Sequence, residues 1–314
     1  MHAKRLMGLG LFLALCCAAY MTVGAKGNWS FVLPFRGAKL VALILVAVSV
    51  STATVLFQTI TQNRILTPSI MGFDALYVLL LTGAVFFLGG QGYIQLPPIG
   101  LFVVNVGLLV GASLILFGSL LFQTRHDLMR LILTGIIFGT LFRSLTSFMQ
   151  RLIDPNEYSV IQVASYARFG WIDTELLGIA SLLTCLTLAM CWRMRFQLDV
   201  LALGHDAAIN LGVNPKRGQI KALVLVAILV SVSTALVGPV AFLGLLVVSL
   251  AHLITPSPYH STLIPSAGLI SAITLVGGQT LLERVLSLAT PLSVVVDVLG
   301  GLLFLALLLR GLRT

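Results

Sequence analysis

The chain has 314 residues, 58% of them hydrophobic and only 9% charged, with a mean hydropathy of +1.07. That balance excludes a soluble globular domain and marks an integral membrane protein. The net charge of +9 does not indicate nucleic acid, because the basic residues stand singly between apolar runs and form no face or stripe.

A crossing helix needs about 20 mainly apolar residues, since the hydrocarbon core is roughly 30 Å thick and each helical residue rises about 1.5 Å. In chain order, runs of that kind bounded by charge, Gly or Pro cover approximately 6–25, 38–60, 68–89, 97–122, 128–150, 174–196, 218–238, 240–255, 262–284 and 291–312. They predict an all-α, polytopic membrane protein with about ten transmembrane helices and one membrane domain over 1–314. The first run, which follows Lys4 and Arg5, also fits a secretory signal peptide. Its length favours a retained helix, because the apolar part of a signal is usually about 7–15 residues. The seventh and eighth runs divide at Val237-Gly238-Pro239, where proline lacks the helical N–H and clashes with the turn before it. A tight hairpin is expected there.

With the N-terminus in the cytoplasm, twelve of the 19 Lys and Arg fall inside: Lys4, Arg5, Arg64, Arg125, Arg130, Arg193, Arg195, Lys216, Arg217, Lys221, Arg310 and Arg313. Lys26, Arg36, Lys39, Arg151, Arg168 and Arg284 fall outside, and Arg143 lies within a span. The excess of inside cations predicts that both termini are cytoplasmic. Asp154, Glu157, Asp173 and Glu175 gather in the largest outside loop, where they are available to a partner.

No GxxxxGK[ST] phosphate loop, HExxH or GxSxG occurs, and the five histidines are scattered, so the chain does not hydrolyse ATP alone. Cys16, Cys17, Cys185 and Cys191 sit in or beside apolar runs, outside metal or redox spacing, and read as small buried hydrophobes. Three ionisable residues fall at membrane depth, namely Asp74, Arg143 and Asp297. Charges there face a cavity or find a partner, and their spacing leaves a structural pair or a misplaced span edge on one hand and a transport role on the other equally open. Two polar features stand out. In Phe57–Gly72 an apolar run ends, the backbone breaks at Pro68, and Gln58 and Thr61 reach back into the preceding span, which points to a pore-facing or gating role. In Ala202–Val213 a short amphipathic segment starts after Gly204, with Asp206 near its positive end and Gly212 as a C-terminal cap.

In this order, the features resemble the permease subunits of the iron–siderophore and cobalamin ABC importers, the type II importers. The family's R-x-P-R before the second span stands here as Arg36-Gly37-Ala38-Lys39. Its Q-x-x-T-x-N-P-L-A-x-P-x-x-x-G is matched by Gln58, Thr61, Asn63, Pro68 and Gly72, and its L-x-x-A-G by Leu131–Gly135. Its A-L-G-x-x-x-A-x-x-L-G is matched by Ala202–Gly212, and its G-x-I-x-F-V-G-L-I-V by Gly238–Val247. The departures are Arg64 for the Pro of N-P-L-A, Val248–His252 for P-H-x-x-R, Pro291-Leu292-Ser293 for P-x-G and Gly300-Gly301-Leu302 for G-A-P. They favour a divergent partner subunit over a self-pairing one.

The resemblance implies the type II importer permease fold in a bacterial inner (cytoplasmic) membrane, and a non-catalytic subunit that passes a ferric siderophore. It implies as partners a second permease, identical or paralogous, two cytoplasmic ATPases, a periplasmic or surface substrate-binding protein and membrane lipid, with no nucleic acid. The ATPases would use ATP and Mg, while this chain binds no cofactor or metal. By the same resemblance, Gln58, Thr61, Asn63, Ile65 and Pro68 belong to the gate and translocation path. Gly204, Asp206, Ala208, Leu211 and Gly212 belong to the helix that couples to the ATPase. Arg36, Lys39 and Arg284, external and cationic, suit docking of the binding protein or anchoring to lipid headgroups. The rival function is a secondary transporter driven by an ion gradient, which would need an ion site on broken helices at mid-membrane; no such site is evident in the sequence.

Overall fold

Within a bilayer each backbone N–H and C=O has to be satisfied inside its own segment, so apolar runs fold as helices, and breaks survive only where protein covers them. The computed structural model describes residues 2–25, 27, 29–123, 128–170, 172–285 and 291–311. The helices are α1 (His2–Thr22), α2 (Trp29–Thr61), α3 (Phe73–Ile94), α4 (Pro98–Gln123), α5 (Leu128–Gln150), α6 (Pro155–Ala164), α7 (Thr174–Leu201), α8 (His205–Asn210), α9 (Pro215–Val237), α10 (Leu243–Ile254), α11 (His260–Thr280) and α12 (Leu292–Gly311). A π-helical turn, Leu281–Val285, continues α11. Lys26, Arg125 and Arg313, used above to orient the chain, lie outside the described residues, as do the side chains of Arg130 and Arg310.

Each of the ten apolar runs holds one helix. Among the described residues, α1, α2, α3, α4, α7, α9 and α11 are long and apolar enough to cross a membrane. With twelve residues, α10 is about 18 Å long and too short to cross by itself.

α2 is the axis of the fold. No residue from 42 to 61 is exposed, as expected of a helix that is apolar all round, and α1, α7, α9, α10 and α11 pack around it. α4 lies on α9, α3 carries α5 and α6, and α12 leans on α10. α1, the possible signal sequence, is seated on α11 with Tyr20 fully buried.

The hairpin expected at Gly238-Pro239 does not form. α9 packs on α2, α4 and α7, whereas α10 packs on α11, α2 and α12, so the two helices diverge around the axis. The last carbonyl of α9, Val237, accepts from Arg168 N–H at 2.8 Å. Gly238 has φ 102°, and a Cβ there would lie 2.9 Å from the Tyr166 carbonyl oxygen. The chain therefore leaves α9 in a conformation open to glycine and turns away from it before α10 begins.

The acidic loop predicted to lie outside is more ordered than its polarity implies. Asp154 caps α6 by accepting from Asn156 N–H, Pro155 opens that helix, and Asp173 caps α7. Glu157 lies against Gly89 and Gly90, where Gly89 (φ 73°) interrupts the helical backbone of α3.

Candidate functional site

Contacts far apart in sequence define one end of the bundle. Arg5 donates to the Ile254 carbonyl at 2.8 Å, and Gln62 Nε2 lies 3.4 Å from the Leu201 carbonyl oxygen. Here α2 stops in a polar turn. Asn63 N–H donates to the Gln58 carbonyl, the Asn63 Oδ1 accepts from Ile65 N–H at 2.9 Å, and Gln58 Nε2 donates to the Arg64 carbonyl at 2.6 Å. Gln62 holds a positive φ of 50°, uncommon for a residue with a Cβ. Gln58 and Thr61 are buried inside the chain, Thr61 bonding back to Phe57, so they shape the turn. Ile65, 45% exposed, is the apolar side chain the turn presents outward, beside exposed Gln62 and Arg64. Pro68 is buried deeper, beyond the turn.

Directly after Leu201 comes α8. Gly204 is its N-cap, and Leu211, Gly212 and Val213 close it: Gly212 N–H donates to Ile209 and Val213 N–H to Ala208, with Gly212 at φ 77°. This pair of bonds around a left-handed glycine is a Schellman ending. Ala208 is fully buried and fastens α8 to the bundle, Asp206 is exposed in its first turn, and Leu203, Ile209 and Leu211 are exposed. Six residues could not hold a helix in isolation; packing on α7 and α9 holds this one. An apolar surface therefore stands on a rigid knuckle joined through Gln62 to the turn that carries Ile65. Gln62 was not singled out by pattern, since its partner is 139 residues away.

A second link at this end was also invisible in the sequence. His260 Nδ1 and backbone N–H both meet Asp199 Oδ1, at 2.6 and 2.7 Å, and His260 Nε2 meets Thr59 Oγ1 at 2.7 Å. The chain ties α2, α7 and α11 together. It also sets a carboxylate from α7 at the N-terminus of α11, whose own N-cap residue Tyr259 supplies no side-chain cap.

At mid-depth two non-helical stretches, 66–72 and 238–242, face each other across a cavity of about 10 Å³ lined by Thr54, Pro68, Ser69, Asp74, Gly238 and Gly244, among others. The N-termini of α3 and of the short α10 lie beside it. The sequence had not revealed broken helices facing each other, a feature of ion-coupled transporters, but the space is about that of one water. Among the described residues no group of His, Cys, Asp and Glu could hold a metal ion. Asp297 on α12 accepts from Phe242 N–H at 3.0 Å and so caps α10 across helices, which gives this half-buried acid a structural role. Asp74 in the first turn of α3 is hydrogen-bonded by Ser69, and its Oδ2 is buried without a partner.

The opposite end gathers the three predicted docking cations, and the structure treats them unequally. Arg36 is 5% exposed. Its Nη1 donates to the carbonyls of Tyr20, Met21 and Val23 at 3.1, 2.9 and 2.9 Å and its Nη2 to Gly24 at 3.0 Å. The guanidinium thus closes the C-terminus of α1, where carbonyls lack helical partners. Lys39 is buried with Nζ 4.3 Å above the Phe35 ring. Arg284 is the most accessible of the three and pairs with Glu283 at 3.6 Å, which in turn accepts from Gln279 at 2.5 Å. Nearby, an open depression of about 740 Å³ is lined by Tyr77, Tyr166, Arg168, Gln279 and Glu283 among others.

A model of the FecCD transport family matches residues 9–310. The chain is 44% identical over 298 residues, 95% of each sequence, to the petrobactin import system permease protein YclO of Bacillus subtilis. It is 36% identical over 271 residues, 86% of this chain and 77% of the other, to the petrobactin import system permease protein FatC of Bacillus anthracis. The solved structure of a metal-chelate type ABC transporter in an inward-facing conformation covers 99% of this chain and 100% of its own, with a TM-score of 0.82 at 22% identity, a likeness of fold.

Proposed function

Since the chain belongs to the FecCD transport family, we propose that it is the permease subunit of an ATP-binding-cassette importer and that it carries a ferric siderophore of the petrobactin type named for its relatives. It is a multi-pass membrane protein; its membrane is the bacterial cytoplasmic membrane, with both termini inside. A second permease, two ATPases that use ATP and Mg, and an external binding protein complete the machine, and this chain contributes no catalytic step.

The family match carries the importer function, and the proposed coupling route rests on Gln62 Nε2 standing 3.4 Å from the Leu201 carbonyl oxygen. Closure of the ATPases pushes α8 through its apolar face. Because Ala208 and the Schellman ending make α8 rigid, the push passes to the end of α7, and Gln62 passes it on to the turn bearing Ile65. That turn, supported by Gln58, Thr61 and Asn63, is the inner gate, and Pro68 lets the backbone bend behind it. Ligand selection falls mainly to the binding protein, which docks at the outer rim near Arg284. Rim charges chiefly steer encounter and orient the partner.

The test is uptake of ferric petrobactin into proteoliposomes holding the permeases, the ATPases and the binding protein. Uptake should require internal ATP and stop with vanadate. Uptake by the permease alone, driven by an ion gradient, would establish the secondary-transporter alternative.

A further inference from the structure

α5 is supported on one side only, by α3 and a little by α4. Gly135, Gly139 and Thr146 are buried on that side, where Gly139 lies against Gly72 and Gly135 against Met71. The outward surface of the helix divides into two flanks at helical spacing. Ile137, Leu141, Leu145 and Phe148 form an exposed apolar flank, and the other flank begins with exposed Leu133 and Ile136 and turns polar at exposed Thr140, Arg143, Ser144 and Ser147. Hydrocarbon accounts for the apolar residues and not for these four.

Arg143 makes the discrepancy acute. It lies seven residues from the outer end of α5, about 10 Å along the axis, and a long side chain near a helix end normally reaches outward to the headgroups. This one turns the other way, with Nη2 3.2 Å from where a Gly139 Cβ would stand, one turn deeper. Among the described residues it makes no hydrogen bond or ion pair, and its charge acts on Asp74 of α3. A guanidinium on an exposed residue, turned toward Gly139 at the edge of the α3–α5 seam and without a protein partner among the described residues, needs water or an anion in front of it.

We propose that the Thr140–Arg143–Ser144–Ser147 flank of α5 walls the translocation path and that Arg143 is its charge-selective contact for an anionic ferric chelate. The proposal rests on the importer function given above and names the ligand property this chain reads. An iron(III) chelate built on dianionic catecholate or hydroxycarboxylate donors carries more negative charge than the ion neutralises, and a chelate of that class is an anion. A fixed cation halfway along an aqueous path lowers the barrier for such an anion without providing a deep site that would retain it.

The test uses the fully assembled transporter in proteoliposomes, with Cys16, Cys17, Cys185 and Cys191 replaced. Arg143→Cys should lower ferric petrobactin uptake about tenfold, the lower end of electrostatic effects on rate. Aminoethyl methanethiosulfonate, which restores a cation, should recover most of the loss, and sulfonatoethyl methanethiosulfonate should not. A thiol inert to both reagents in the intact transporter, meaning burial in lipid or against the partner permease, would overturn the proposal, as would equal recovery with either. If Asp74→Asn restores uptake to Arg143→Gln, Arg143 is only a counter-ion to Asp74 and the proposal fails. Should Arg143→Cys not assemble, Ser144→Cys and Ser147→Cys are probed instead, and inert thiols there also refute it. Absence of ATP-driven uptake by the parent transporter would count against the proposed function, whereas reagent access at Arg143→Cys tests the path wall independently.

Discussion

Replacing Arg36 with Ala separates a structural clamp from a docking charge. The guanidinium contacts four carbonyl oxygens of the α1 terminus, but Nη1 has two hydrogens for three of them, so about three hydrogen bonds are made. Bonds from a charged donor contribute roughly 1.5–3 kcal/mol each, an upper sum of roughly 5–9. Two effects reduce it: removing the side chain relieves the burial of its charge, and water at the outer end reaches some of the freed carbonyls. The expected loss is about 2–4 kcal/mol, measured by reversible unfolding of the purified permease in mixed micelles without any partner. Arg36→Lys should recover about half or less, because one ammonium cannot reproduce the planar fork. Stability within about 0.5 kcal/mol of the parent, together with weakened binding-protein affinity, would refute the clamp and return Arg36 to the docking surface.

Leu211→Asp, which places a charge on the exposed face of α8, should abolish ATP-dependent uptake while leaving membrane insertion and fold unchanged; normal uptake would remove α8 from the coupling route. A Cβ at Gly244 would stand 3.0 Å from the Thr54 Cβ and closer still to its Oγ1, so Gly244→Ala should cost about 1–3 kcal/mol by overpacking α10 on α2. Thr54→Ala in the same chain should return most of it, and simple additivity would contradict the contact. His260→Ala and Asp199→Ala should each destabilise by about 1–3 kcal/mol, and the double variant by at least about 1 kcal/mol less than their sum. Independent effects in that cycle would mean the pair does not hold α7 and α11 together.

The α-helical membrane class follows from composition, because only a helix satisfies its own backbone in hydrocarbon, and each of the ten apolar runs holds one helix. Local chemistry also marked the break at Pro68 and the C-terminal glycine of α8: proline's missing N–H and glycine's access to positive φ act on adjacent residues. What the sequence withheld depends on partners distant along the chain. Gly238-Pro239 announces an interruption, but packing around α2 decides that α10 departs from α9 instead of doubling back. The same holds for the acids. Spacing leaves the role of Asp297 open and gives no sign of Asp199, until tertiary structure sets each at the bare N-terminus of a neighbouring helix. Arg36 looks like an external cation until α1 ends on it. A charge in a span is read by whatever surrounds it in three dimensions, and one-dimensional spacing carries no record of neighbours brought from other helices.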